Sequence, residues 1–265
     1  MYPKIFGWQH LTYLAIFIVL AVVGTYYILK FVKNEKTLTI VIKSIALALL
    51  LAVIWNRISI CIDKNNWIQL IPNTFCGLSS FLLSISVLVG KKDCGFFHFI
   101  CYLGFIGGLV TLIYPDFIGQ DQSFLYPATI SGLLHHTIMF YLITLMFITH
   151  YFVPTLKKWY YLPLGLCCVM TYGLFLLSAT SHTSAMNITS PLLEGTILTW
   201  WFTGLLLVVL SLVTMFIFDY VKHRKEKIAY IRTPYKIPKT TPFTSPPFSL
   251  RQNKQPINTE ITFIN

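Results

Sequence analysis

The side chains best suited to chemistry in this chain sit in two short stretches, Leu70-Ile-Pro-Asn-Thr-Phe-Cys-Gly77 and Ser131-Gly-Leu-Leu-His-His-Thr137. A thiol, an amide and two imidazoles stand there among long apolar runs, where such groups are expensive unless they face a protein interior or a wet cavity. A cysteine beside a histidine base is a minimal arrangement for acyl transfer: the imidazole takes the thiol proton and the thiolate attacks a carbonyl. Cys76 is the candidate nucleophile and His136 or His135 the candidate base. Adjacent helical residues point about 100° apart, so the two histidines cannot face one site equally. His136 shares a face with Thr129, Gly132 and Thr144, a small and polar stripe that suits a helix interface, and is the preferred base. His135 then has a supporting place.

Three further positions belong to the same chemistry. Asn73 can donate to an oxyanion. Asp116, in Tyr114-Pro-Asp116, either orients an imidazole or is a plain turn residue. Arg57 either snorkels to the headgroups or, with Asn56, grips a lipid phosphate, for which a guanidinium fork is well shaped.

The elements that must hold these groups follow from composition. With 55% hydrophobic and 11% charged residues and a mean hydropathy of +0.68, the 265-residue chain reads as an integral membrane protein. A span needs roughly 20 mostly apolar residues. Seven stretches qualify, at about 10–31, 38–60, 69–89, 96–113, 127–152, 162–180 and 195–218. The expectation is an all-α fold of seven transmembrane helices over residues 1–220, followed by a basic, proline-rich and disordered tail over 221–265.

Lysine and arginine set the orientation. Lys30, Lys33, Lys36, Lys43, Lys91, Lys92, Lys157, Lys158 and the tail fall on one side and only Lys4, Arg57 and Lys64 on the other, which puts the N-terminus outside and the C-terminus in the cytoplasm. The net charge of +11 is thus an orientation signal, and no nucleic-acid partner is expected. The six cysteines form no C-x-x-C and no zinc spacing, so neither metal nor cofactor is expected.

Within this frame Pro72 suits the first turn of span three, which brings Cys76 near the positive end of the helix dipole and at a depth matching His136 in span five. Asn56, Arg57, Asn73, Cys76, Asp116, His135, His136, Ser181, His182 and Glu194 all fall in the outer half, and the inner halves are nearly free of such groups. The arrangement describes a cavity opening toward the outer leaflet, with His182 itself interfacial and solvated.

The run Leu70 to Cys76, Tyr114-Pro-Asp116 and His136 together resemble the YwaF-like integral membrane proteins of bacteria, over roughly residues 38–218. Their animal relatives include the transmembrane protein 164 acyltransferases acting on ether phospholipids. The resemblance implies Cys76 as acyl-carrying nucleophile, His136 as its partner, phospholipids and lysolipids as substrates, and a bacterial plasma membrane as the location. The rival reading is a non-enzymatic small-solute transporter or substrate-binding membrane component whose polar groups line a passage. Few inner-half polar residues are present to complete such a path. A metal-dependent lipid hydrolase ranks last, for want of paired histidines on one helix face.

Overall fold

Apolar runs of this length satisfy their backbone in hydrocarbon only as helices, because each N–H and C=O must find its partner within the segment. The computed structural model describes residues 6–115, 123–192 and 195–232. Among them it contains seven α-helices and no strand: α1 (Trp8–Phe31), α2 (Glu35–Asp63), α3 (Phe75–Val89), α4 (Phe97–Ile113), α5 (Pro127–Ile148), α6 (Tyr161–Ala179) and α7 (Trp200–Arg232). Five segments, α1, α2, α5, the stretch Leu156–Ala179 that contains α6, and Trp200–Lys222 of α7, are long and apolar enough to cross a membrane. The protein is an integral, multi-pass membrane protein. Two units make up the chain, residues 1–224 and 225–265, and the bundle and the site lie in the first.

Helix α7 continues to Arg232, so residues 221–232, expected in a disordered tail, are helical. No proline interrupts the chain between Pro191 and Pro234, and the Lys- and Glu-rich turn in between is made of good helix formers. The remainder of the proline-rich tail lies outside the described residues, as do Asp116 and Glu194.

The centre of the bundle is α2 to α5. Helices α2 and α5 share the most extensive contact, followed by α2 with α3 and α4 with α5. Ile42, Ala46, Leu49, Val53 and Asn56 recur every three to four residues on α2 and form its buried stripe. Helix α4 approaches α5 closely because glycines stand between them. A Cβ at Gly104 would lie 2.8 Å from Ile143 Cδ1, and one at Gly108 would lie 3.3 Å from Phe140 Cβ.

Span three begins later than expected. Pro72 lies before the helix, which starts at Phe75 under a Thr74 cap whose hydroxyl accepts from the Gly77 amide at 3.1 Å. Before it come a 3₁₀ turn, Trp67–Leu70, and a short non-helical run. With 15 residues, α3 is about 22 Å long, short of the roughly 30 Å hydrocarbon layer. Non-helical backbone at such depth is tolerated where protein covers it. Here the Tyr172 hydroxyl donates to Pro72 O (3.0 Å), Met186 N donates to Asn73 O (2.9 Å), and Asn73 Nδ2 donates to Ser184 O (3.2 Å).

The other end of the bundle carries a polar knot that the sequence reading did not anticipate. Asp93 accepts from Lys158 Nζ (3.3 Å) and Val153 N (3.4 Å), and its amide donates to Tyr151 O (3.2 Å). His98, fully buried on α4, stands 3.6 Å from the same carboxylate. This joins the α3–α4 turn to the α5–α6 connection.

Asn56 is the polar tie between the two central helices, its amide donating to Ala128 O (3.2 Å) and Ser131 Oγ (3.1 Å). Asn56→Ala removes both bonds from a buried site and should cost about 1–3 kcal/mol. Thermal or denaturant unfolding of the full-length protein in detergent measures it, with the exposed Trp55→Ala as the control that stays near wild type.

Candidate functional site

The α3 start fixes the geometry of the site. Cys76 is the second residue of α3, in its first turn, so the Phe75 and Cys76 amides have no acceptor within the helix. The thiol is half-buried, with the Thr111 hydroxyl of α4 facing it. It presses on α4 at a glycine: a Cβ at Gly107 would lie 3.0 Å from Cys76 Sγ. One residue on, a Cβ at Gly108 would lie 3.5 Å from the His136 carbonyl oxygen. Consecutive glycines of α4 therefore meet the first turn of α3 and the middle of α5, and set the two at one level of the bundle.

His135 and His136 are both buried, and their rings lie against each other with centroids 4.1 Å apart. His135 Nδ1 is 3.1 Å from the Ser131 carbonyl, which accounts for one of its nitrogens. His136 Nδ1 has no hydrogen-bond partner among the described residues.

Arg57 differs most from expectation. Instead of snorkelling outward it turns into the bundle and retains only 9% of its surface. Its Nη2 lies against Gly77, where a Cβ would come within 2.5 Å of it. With glycine at position 77 the guanidinium can sit against the α3 start without shifting. Arg57 couples electrostatically with Cys76, His135, His136 and His182, and so stands at the centre of the group. It donates no hydrogen bond and meets no carboxylate among the described residues, and its buried Nε is unpartnered.

Asn56 is placed otherwise. Its amide hydrogens serve α5, and the carbonyl oxygen that remains is an acceptor, which does not attract a phosphate. Asn73 commits one amide hydrogen to the Ser184 carbonyl and holds the segment after α6 against the α3 start. Asp116 lies outside the described residues. Among those residues no three His, Cys, Asp or Glu side chains converge as metal ligands.

Beside these groups runs an apolar groove of about 440 Å³ between α3, α4 and α6. Pro72, Tyr172 and Leu78 line it toward the α3 start, and Leu82, Phe96 and Tyr161 line it further along. Tyr172 also feels the charge of Arg57, and its hydroxyl donates to Pro72 O at this end of the groove; neither Arg57 nor Cys76 lines it.

Four participants escaped the sequence reading: Thr111, Gly77, Tyr172 and His182 as a buried residue. Gly77 stood in the quoted motif, and a glycine directly after a candidate nucleophile was the available clue to a close approach. Thr111 was a lone hydroxyl in a glycine-rich span, and nothing in the sequence singles out Tyr172. His182 was expected in solvent but is 6% exposed, with its Nε2 unpartnered. Burial pulls His182 below the ordinary value of 6.5, the Ile68 backbone opposes this, and Arg57 adds to it.

The unfolded chain takes up a proton at His182 near its ordinary value while the folded chain does not, so stability falls as pH drops below about 6.5. His182→Asn should remove part of the decrease in melting temperature seen between roughly pH 7 and pH 5. Equal acid sensitivity in variant and wild type would contradict this account of His182.

No curated protein and no solved structure matches the chain. A family model does, that of the TMEM164 family, over residues 5–218. The match takes in α1, which the motifs alone did not reach, and every side chain of the site. On that match the chain belongs to the TMEM164 family.

Proposed function

We propose that the protein is a membrane lipid acyltransferase that moves acyl chains between phospholipid and lysolipid through a thioester on Cys76. The observation that carries this reading is a half-buried thiol in the first turn of α3, at one level with His136 of α5, on a helix whose other face lines an apolar groove through Leu78, Phe81 and Leu82. A groove of this lining suits an acyl chain and places little else.

His136 takes the proton of Cys76. The thiolate attacks the ester carbonyl of the donor lipid, and the lysolipid leaves with the proton returned by the imidazolium. The acceptor lysolipid then gives its hydroxyl proton to His136 and attacks the thioester carbonyl, and the Cys76 sulfur leaves and is reprotonated. Apolar walls keep water from the thioester, without which the outcome would be hydrolysis. The unpartnered Nδ1 of His136 supports its place as the base, and His135, bonded to Ser131, supports it from behind.

The same reading has seven crossings, with α3 and α4 completing the five long spans, an outside N-terminus and a cytoplasmic C-terminus. Lys33, Lys36, Lys91, Lys92, Lys157 and Lys158 on alternate connections support it. The site then lies in the outer half of the bilayer.

Purified protein in vesicles holding a labelled phospholipid and a lysolipid should transfer label, and Cys76→Ala and His136→Ala should each lose at least about a hundredfold in rate with the fold retained. Normal transfer by Cys76→Ala overturns the thiol mechanism. Leu82→Trp, which fills the groove away from the thiol, should lower transfer of long chains several-fold more than that of short ones, read by competition between chain lengths. Equal losses for both lengths would remove the groove from acyl binding.

A further inference from the structure

We infer that Arg57 is the seat for the phosphate of the lipid substrate, an inference that rests on the lipid reading above and names the part of the lipid the site recognises. Three observations converge. Arg57 is nine-tenths buried as a residue, its Nε is fully buried, and among the described residues the guanidinium has neither a carboxylate nor a hydrogen-bond acceptor. A buried cation without a partner is strongly unfavourable, and a bound anion removes that penalty. The second is position. Nη2 is held against Gly77, one residue past the thiol, at a helix start whose Phe75 and Cys76 amides lack acceptors in the helix while the Gly77 amide is taken by Thr74. The guanidinium and the helix start thus offer their donors to one region.

The third is the groove. Tyr172 and Pro72 line its end, Tyr172 feels the charge of Arg57, and among the described residues no carboxylate compensates that charge. That combination is complementary to an amphiphile with an anionic head.

Phosphate, rather than carboxylate, is the anion that fits the chemistry. In acyl transfer the acyl carboxyl group stays esterified in both donor and acceptor, and carries no persistent charge. The charge that persists through donor, acceptor and product is the phosphodiester, which lies a few bonds from the reacting ester. A guanidinium fork presents paired N–H groups to two phosphate oxygens, which an ammonium does not match. Because Asn56 spends its donors on α5, the recognition falls to Arg57, with the unpartnered His182 Nε2 beside it.

The test uses full-length Cys76→Ala protein, so that no turnover intervenes, in a neutral detergent. Its melting temperature is titrated with a short-chain phosphatidylcholine, the matching diacylglycerol, the matching fatty acid and inorganic phosphate. Phosphatidylcholine should stabilise with a half-saturating concentration at least about tenfold below that of diacylglycerol. Arg57→Gln should abolish that preference, and Arg57→Lys should recover only part of it.

Equal binding of phospholipid and diacylglycerol by the Arg57-containing protein overturns the proposal, and this comparison needs no Arg57 variant to fold. A preference retained in Arg57→Gln also overturns it. Stabilisation by inorganic phosphate as strong as by phospholipid, lost in Arg57→Gln, would make the seat one for a free anion and overturn its lipid assignment. Fatty acid binding as tight as phospholipid would do the same. The two readings fail separately: acyl transfer without headgroup preference removes the phosphate seat alone, and headgroup preference without transfer removes the acyltransferase reading alone.

Discussion

A guanidinium removed from water carries an effective penalty of several kcal/mol, and Arg57 bears it in the middle of a helix bundle. Much of the local structure is arranged around that charge. Gly77 has no side chain so that Nη2 can rest on the backbone, Asn56 one residue earlier ties α2 to α5, and the α3 start is bent out of regular helix next to it. The two positions before Arg57 show the same division: Trp55 is 43% exposed on the outer face of α2, whereas Asn56 is 3% exposed and faces α5. A single residue step of about 100° thus separates a lipid-facing surface from the polar interior.

The short length of α3 follows from the same constraint. A full-length helix through residues 66–74 would carry the α3 amides away from Arg57 and leave the bundle interior at this level without backbone donors. The chain instead stays non-helical to Thr74, and the exposed carbonyls are met by Tyr172 and by the segment after α6. That segment, through Ser184 and Met186, is therefore a cover for broken secondary structure as well as a connection. Glycines 104, 107 and 108 complete the arrangement, since α4 must lie close to both α3 and α5 for the cysteine and histidine levels to coincide.

Much of this was legible in the residues. Helix number and approximate limits follow from apolar run length, and the close packing of α4 follows from its glycines. Grouping Arg57, Cys76, His135 and His136 at one end followed from counting along the spans. The direction of Arg57 did not, because an arginine one turn from a helix end reads the same whether it snorkels or folds inward, and only the neighbouring helices decide. The α3 start was missed because Pro72 suits a first turn as well as the residue before one, and the Thr74 cap wins on a local balance of about 1 kcal/mol. His182 was misplaced, and His98 passed over, for a related reason: histidine is tolerated in either setting, and their burial depends on connections whose course the sequence does not specify.

The groove between α3, α4 and α6 has a further implication for how the protein meets its ligands. Phe96, Leu164 and Cys168 line it from the bundle perimeter, and Leu164 is 57% exposed on the surface that faces hydrocarbon. A molecule entering this groove diffuses in two dimensions within the leaflet and never crosses bulk water. Occupancy is then governed by the mole fraction of the lipid among its neighbours, and diluting the membrane with an inert lipid lowers saturation at constant total concentration.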